Sequence, residues 1–321
     1  MTKGATLSLD LDNLWCYQRS FGLAGWRDYP SFLEVALPRL LDVLDRLDLR
    51  LTLFVIGRDA EQPDLRPLLA EAVARGHEAA NHSHDHDTGL HRWPRAWIRE
   101  EVLRAGTAIE AATGQRPRGF RGPAYGTSEA LLEVLIELGY DYDASSYPNT
   151  LGALARFYHR RQVARLGGDA AVPEGLYGHL RDAMKPLRPY LWRLPAGTLV
   201  EVPVSTLPLL RLPFHGTYLN QLAELSPGLA RAYFATALRL CRLRGVAPSF
   251  LLHPADFLGR DDCPDFDYLP GMQRSGAEKT AFMTEILERY QRAYAVRPLG
   301  AFVDDLRKAE SLPQVAVGEA A

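Results

Sequence analysis

Leu51-Thr52-Leu53-Phe54-Val55-Ile56 is an apolar run of strand length, closed by Gly57 and followed by a helical pattern near 64–75 that Gly76 stops. Reading outward from it, the same alternation recurs on both sides. Toward the N-terminus lies a helical pattern near 31–47, with Leu33, Leu37, Leu40, Leu41, Leu44 and Leu47 at three- and four-residue spacings. Before that comes the strand-like run 5–9. Toward the C-terminus the chain predicts a helix near 95–112, a strand at Gly119-Phe120, and a helix near 128–138 behind a cap at Thr127 or Ser128. Strands alternating with helices imply parallel strands joined by crossover helices, and hence an α/β layer or barrel.

The second half is less regular. Residues 148–197 are rich in Arg, Pro and Gly and show no obvious βα unit, so they read as an insertion capping the barrel mouth. Alternation resumes with Thr198-Leu199-Val200-Glu201-Val202, a helix near 227–244, strand Ser249–Leu252, a helix near 276–294 and a short strand near 299–303. There is no internal repeat and no low-complexity linker, so 1–321 is expected to be one catalytic domain.

A chain of 321 residues can bury a large core, and 47% hydrophobic with 24% charged residues is ordinary for a globular protein. The formal charge of −2 gives no general attraction to nucleic acid, and no nucleic-acid motif is present. Cys16, Cys241 and Cys263 share no CxxC spacing, so neither a disulfide framework nor a thiolate metal site is expected. No apolar leader and no run of about 20 apolar residues is seen, and the expected location is the cytoplasm.

Five strand ends carry polar chemistry. Ser8-Leu9-Asp10-Leu11-Asp12-Asn13 ends the first strand with two carboxylates two residues apart, which share a strand face. Such a pair is tolerated best with a cation between, although Asp and Asn are equally at home in a turn. Asn81-His82-Ser83-His84-Asp85-His86-Asp87 places three histidines within five positions, and His82 and His86 at i, i+4 reach one ion from a single helical turn. His84 joins them only in an extended segment. Two histidines and one carboxylate with an open position form the pattern of a catalytic zinc site. Gly119-Phe120-Arg121-Gly122-Pro123-Ala124-Tyr125-Gly126 offers a fixed loop with backbone N–H donors suited to an oxyanion hole, and an arginine able to pair with a carboxylate. Tyr140–Ser146 and Phe250-Leu251-Leu252-His253-Pro254 each put a polar residue just past an apolar strand. A parallel barrel gathers such ends on one rim.

In order and spacing, Asp10-x-Asp12, His82-xxx-His86, Arg121-x-Pro123, Asp143-x-Ser145 and Leu252-His253-Pro254 resemble the five motifs of the polysaccharide deacetylase superfamily, also called NodB-homology or carbohydrate esterase family 4. Gly76-His77-Glu78 leading to Asn81-His82-Ser83-x-x-His86 is the most specific part. The resemblance covers about 5–147 and 198–304. It implies a distorted (β/α)7 barrel with an inserted lid, and a mononuclear divalent metal site, usually Zn2+ with Co2+, Ni2+ or Mn2+ as alternatives. Asp12, His82 and His86 would be the ligands and Asp10 the general base. Arg121 would orient Asp10, and a backbone N–H near Tyr125 would hold the oxyanion. His253 would protonate the leaving amine, with Asp143 tuning it. Asp-Leu-Asp, where cell-wall deacetylases have adjacent aspartates, and Pro254 are both similar to the intracellular branch of the superfamily.

The substrate expected on these grounds is an N-acetyl or N-formyl amide on a sugar, including nucleotide- or lipid-linked sugars met inside the cell. Arg156, Arg160, Arg161 and Arg165, interleaved with Phe157 and Tyr158, suit a phosphate and a peripheral contact with the inner membrane face. An ordinary solvated lid accounts for the same residues. Two other readings stand beside this one: hydrolysis of a small amide or ureide, as in allantoinase-like proteins, and a binding barrel without catalysis.

Overall fold

A computed structural model describes residues 4–169, 172, 176–177, 180–266, 268–308 and 312–316. Of the insertion expected at 148–197, residues 170, 171, 173–175, 178 and 179 lie outside the described residues. In chain order the elements are β1 (Gly4–Asp10), α1 (Leu14–Phe21), α2 (Leu33–Arg46), β2 (Thr52–Val55), α3 (Gly57–Glu61), α4 (Arg66–Ala74), β3 (Glu78–Asn81), α5 (Arg95–Thr113), β4 (Gly119–Phe120), α6 (Glu129–Glu137), β5 (Tyr142–Asp143), α7 (Gly152–Leu166), β6 (Tyr190–Leu194), β7 (Gly197–Glu201), α8 (Gly216–Leu225), α9 (Pro227–Arg244), β8 (Ser249–Leu252), α10 (Gly276–Ala293), β9 (Ala295–Arg297), α11 (Leu299–Lys308) and β10 (Gln314–Ala316).

The sheet runs in the order β10-β6-β7-β5-β4-β3-β2-β1-β8, with β9 also paired to β1, and every pairing except β6–β7 is parallel. Among the described residues the ladder does not close on itself. Beyond β7 the chain continues to Ser205, whose N–H donates to the Ser249 carbonyl at 3.1 Å while its hydroxyl accepts from Ser249 N–H at 2.6 Å. That contact is a seam across the gap between β7 and β8 in an α/β fold of the expected class.

Period-two alternation sorts the side chains of the central strands. On β1, Ala5, Leu7 and Leu9 join the large apolar cluster that also holds Leu40 and Leu44 of α2 and Ile286 and Tyr290 of α10. Thr6, Ser8 and Asp10 take the opposite, equally buried face. Strands covered on both faces are what a parallel α/β arrangement requires. Helix ends follow their caps: Ser128 accepts from Leu131 N–H, Ser226 precedes Pro227, and Ser275 with Glu278 forms a capping box.

Two expectations change. Residues 299–303 are the start of α11, and the strand is β9, just before it. The buried positions Leu299, Phe302 and Val303 have helical spacing, and the first amides of α11 are satisfied by Thr52 Oγ1 (to Leu299 N–H, 2.8 Å) and Glu78 Oε2 (to Gly300 N–H, 2.8 Å). Within 148–197, Tyr190–Leu194 is a strand of the main sheet, hydrogen-bonded antiparallel to β7, while α7 packs against α1. Its buried residues, Tyr190, Trp192 and Leu194, alternate with positions 191 and 193, a strand signature interrupted in composition by Arg193 and Pro195.

Candidate active site

Strand register brings the chemistry to one edge. Asp10 is paired with Phe54, Asn81 with Phe120, Phe120 with Asp143, and Leu9 with Leu252. The residues that follow these strands, Asp12, His82, Arg121 and His253, therefore lie along the C-terminal edge of the sheet. Asp10, Asp12, His82, His86, Tyr125 and His253 all line one cavity of about 1340 Å³.

Asp12, His82 and His86 converge. The Asp12 Oδ1 atom lies 3.3 Å from His82 Nε2 and 3.1 Å from His86 Nε2, and the two rings are 5.0 Å apart. The histidines do not reach this point from a helical turn. The segment after β3 is a loop, with Ser83 at φ 63° and His86 at φ 48°, and these left-handed residues fold the second ring back toward the first. His82 Nδ1 is 2.7 Å from the Arg121 carbonyl, which accepts its proton and leaves the Nε2 lone pair aimed at Asp12.

Asp12 Oδ1 is sealed from solvent and lacks a hydrogen-bond partner. A lone pair facing a carboxylate oxygen calls for a positive centre between them. Ligands about 2.0–2.1 Å from a tetrahedral zinc stand about 3.3 Å from one another, which the two O···N distances match. The donor set fits a divalent cation on both counts. Burial pushes the Asp12 carboxyl up, but His86 and His82 outweigh it and hold it well below the usual range. Burial lowers His82, and Asp10 and Asp12 more than reverse that.

Asp10 faces the cavity from the last position of β1. Its Oδ1 accepts from Arg121 Nη1 at 2.6 Å, with both side chains almost fully buried. Arg121 also donates to Ser8 Oγ (3.0 Å) and the Ala144 carbonyl (2.8 Å), and its guanidinium lies 4.1 Å from the centre of the Phe54 ring. Contacts on three sides hold Arg121, and its charge-assisted bond in turn orients Asp10.

His253 follows β8. Its Nδ1 is 3.0 Å from Thr217 Oγ1, its N–H donates to Asp256 Oδ2 at 2.9 Å, and the His215 ring is 5.9 Å away. The carboxylate beside His253 is thus Asp256. Asp143 is engaged elsewhere: it accepts from Ser145 Oγ at 2.6 Å and lies close to Glu201, whose carboxyl is pushed well up by burial and by the Asp143 charge. Ser145 Oγ in turn accepts from Gly122 N–H at 2.8 Å, so Asp143 braces the loop that carries Arg121. The Tyr125 N–H already donates to the Gly122 carbonyl at 2.9 Å, and the Tyr125 side chain contributes cavity wall, packed at a tilt against Tyr147 with ring centres 4.5 Å apart.

His84 points away from the three ligand candidates. It is fully buried, with Nδ1 at 2.8 Å from Asp85 Oδ1 and Nε2 at 3.2 Å from Glu61 Oε1. Glu101 accepts the N–H groups of His84 and Asp85, and Arg58 pairs with Asp85. This acidic cluster already contains its cation and fastens the loop. Sequence reasoning missed Ser8, His215, Thr217, Glu201 and Asp256. Gly216-Thr217 and Pro254-Ala255-Asp256 carry no recognisable spacing, and only the fold joins them.

Residues 26–142 match the family model described as polysaccharide deacetylase, a span that holds His82, His86, Arg121 and Tyr125. Over that span the chain is similar to the polysaccharide deacetylase family. A chitooligosaccharide deacetylase of Bradyrhizobium sp. (strain ANU 289) is 44% identical over 118 residues, 34% of this chain and 52% of that protein. A peptidoglycan deacetylase of Helicobacter pylori (strain ATCC 700392 / 26695) is 29% identical over 116 residues, 36% of this chain and 39% of that protein. The chain thus spans about half the length, or less, of these curated relatives. A Mycobacterium smegmatis crystal structure, described as that of a candidate polysaccharide deacetylase, superposes with a TM-score of 0.66 at 19% identity over 98% of this chain and 93% of that one, showing a shared fold. Among the described residues no helix is long and apolar enough to cross a membrane.

Proposed function

We propose that the chain hydrolyses an N-acyl amide, acetyl or formyl, on a sugar or a linked sugar, with one divalent metal held by Asp12, His82 and His86. The observation that carries this reading is the sealed Asp12 oxygen facing two imidazole nitrogens at 3.1 and 3.3 Å. It sits in the same cavity as the Arg121-held Asp10 and His253. When bound, the metal supplies Lewis-acid polarisation of the acyl oxygen and of the attacking water. Asp10 takes a proton from that water as its oxygen bonds to the acyl carbon, and Arg121 keeps the carboxylate oriented to do so. The C–N bond then breaks as His253 gives a proton to the nitrogen, because an amide anion is too basic to leave. The products are a carboxylic acid and a free amine.

Cavity size supports a substrate larger than a ureide, since about 1340 Å³ exceeds the roughly 300–1,000 Å³ of small-molecule pockets. Leu154, Phe157, Arg161 and Arg165 of α7 line the end formed by the inserted segment, which suits a sugar bearing a phosphate or a further unit. We place this activity in the cytoplasm, within one catalytic unit. The test is metal analysis of the purified protein beside His86→Ala, with acetate and formate release measured on a panel of N-acylated sugars. The expected result is a single equivalent of metal in the wild type, lost in the variant together with acyl release. A wild type that stays metal-free and inactive after zinc, cobalt, nickel or manganese is supplied would overturn the proposal.

A further inference from the structure

Exposed apolar side chains gather at one rim of the cavity. Between Thr206 and Pro213, which pair as an antiparallel bridge, the chain makes a tight turn. It is closed by Leu207 N–H to the Leu212 carbonyl at 2.7 Å and by Arg211 N–H to the Leu207 carbonyl at 2.8 Å. Leu207 and Phe214 are buried and anchor it. Its tip turns the other way: Leu209 and Leu210 are 64% and 61% exposed, and Leu209 holds a left-handed φ of 82° that a bulky residue rarely adopts. The turn is tied to its neighbours. The Leu210 and Arg211 carbonyls accept from the Thr150 hydroxyl (3.1 Å) and N–H (3.0 Å), just ahead of α7, and Arg211 Nη1 donates to the Lys185 carbonyl at 2.7 Å. Met184, next to Lys185, is exposed as well. On α7 itself the inner face is fixed by His159, whose Nε2 is 2.9 Å from the Ser20 carbonyl, and by Gln162, which donates to the Tyr268 carbonyl at 2.9 Å. The outer face presents Leu154, Phe157 and Tyr158 to solvent, and then Arg160, Arg161 and Arg165.

Apolar residues scattered singly over a surface need no partner, but these six lie on three hydrogen-bonded segments, and such a patch marks a contact with protein or lipid. Charge narrows the choice. α7 contains four arginines and no acidic residue, and among the described residues Arg160, Arg161 and Arg165 form no ion pair. A second copy of the chain docking here about a two-fold axis would set these arginines against one another. An acidic protein would need a pocket shaped for the protruding leucines, whereas a bilayer takes them at any point. We propose that the Leu209–Leu210 tip and the outer face of α7 form a docking surface for an anionic lipid bilayer, with the leucines entering the acyl boundary and the arginines facing lipid phosphates. Buried apolar area and attraction to anionic lipid add, so both parts of the surface contribute. Pro213, Leu154 and Arg161 also line the cavity, so a docked molecule holds the cavity mouth beside the membrane. The surface does not depend on the deacylase reading.

The test is co-sedimentation of the full chain with vesicles of phosphatidylcholine alone and of phosphatidylcholine mixed with phosphatidylglycerol, at low and high salt. The wild type is expected to bind the mixed vesicles, to be released in part by salt, and to bind pure phosphatidylcholine far less. Leu209→Asn with Leu210→Ser should weaken binding roughly tenfold or more, asparagine being at ease at the left-handed position. Arg160→Gln, Arg161→Gln and Arg165→Gln together should weaken it about a hundredfold at low salt and remove most of the salt dependence. Both sets of changes fall on exposed side chains, and both proteins should keep the circular dichroism of the wild type. Trp97→Ser, an equally exposed site on α5, should bind as the wild type does. A wild type that does not sediment with the mixed vesicles at low salt overturns the proposal. So does undiminished binding by the leucine variant or the arginine variant, or an equal loss in Trp97→Ser. Sedimentation velocity covers the other occupant: self-association that the leucine variant abolishes, without vesicle binding, would overturn the lipid assignment in favour of a second copy.

Discussion

Replacing Arg121 by Met leaves Asp10 as a buried carboxylate with no cation, and the consequence can be sized from the contacts. The guanidinium is fully buried and gives Asp10 a 2.6 Å charge-assisted bond, while Ser8 Oγ and the Ala144 carbonyl lose their donors as well. Breaking one side of a buried pair costs about 3–5 kcal/mol, mostly as the penalty on the charge left behind. Spread over 321 residues, the unfolding entropy is about 0.7 kcal/mol per degree, so a loss of about 4 kcal/mol lowers Tm by about 6 °C. The double variant Asp10→Asn with Arg121→Met removes the orphan charge and should recover a large part of that loss. The assay is thermal unfolding followed by far-ultraviolet circular dichroism on the wild type, both single variants and the double. If Arg121→Met costs less than about 1 kcal/mol, or if the two single costs simply add, the pair is not coupled and Arg121 does not hold Asp10.

Three further outcomes follow from other sites. His77 accepts the Leu51 N–H through Nδ1 and is lowered to about 4, first by burial and then by Arg50 and Arg75. Its neutral form therefore adds stability that is complete above about 6.5 and is lost as pH falls toward 4, with a ceiling of about 3 kcal/mol. Urea titrations of His77→Gln should lack that slope, and an identical slope in both proteins would contradict the assignment. The Tyr147 hydroxyl is sealed without a partner among the described residues, so Tyr147→Phe should hold or raise stability by about 1 kcal/mol, and a loss of 2 kcal/mol or more would show a bond to that hydroxyl. If Asp12, His82 and His86 bind zinc, free zinc at a hundredfold over its Kd should add about 2.7 kcal/mol to unfolding, and a chelator should remove it. No Tm response to either treatment speaks against that centre.

Much of the fold is legible in the sequence because its parallel strands are buried on both faces and its helices carry regular leucine spacings. Leu33–Leu44 and Leu51–Ile56 announce themselves. Tyr190–Leu194 does not, because it pairs antiparallel at the outer part of the sheet, where Arg193 is tolerated. Residues 299–303 are misread for a general reason: a short apolar run has no periodicity long enough to separate strand from helix. For the site, residue types and order are readable, since carboxylates and histidines at strand ends are hard to explain as packing. The bonds between them are not. That Asp12 receives two histidines from a left-handed loop depends on φ values at Ser83 and His86. That Asp143 braces Ser145 while Asp256 stands behind His253 depends on which strand ends become neighbours. Local spacing contains neither fact.

The place of β1 in the sheet has a kinetic meaning. It pairs in parallel with β8, joining Thr6 to Ser249 and Leu9 to Leu252 across most of the chain. Contacts so distant in sequence close large loops and form slowly. Asp10 and Asp12 reach His82 and His86 through β2 and β3, but meet His253 only once β8 has docked. The span matched by the family model contains neither flank. A refolding chain should therefore acquire its full complement of catalytic groups in the last cooperative step, so that regain of activity marks completion of the whole sheet and lags the regain of helical signal.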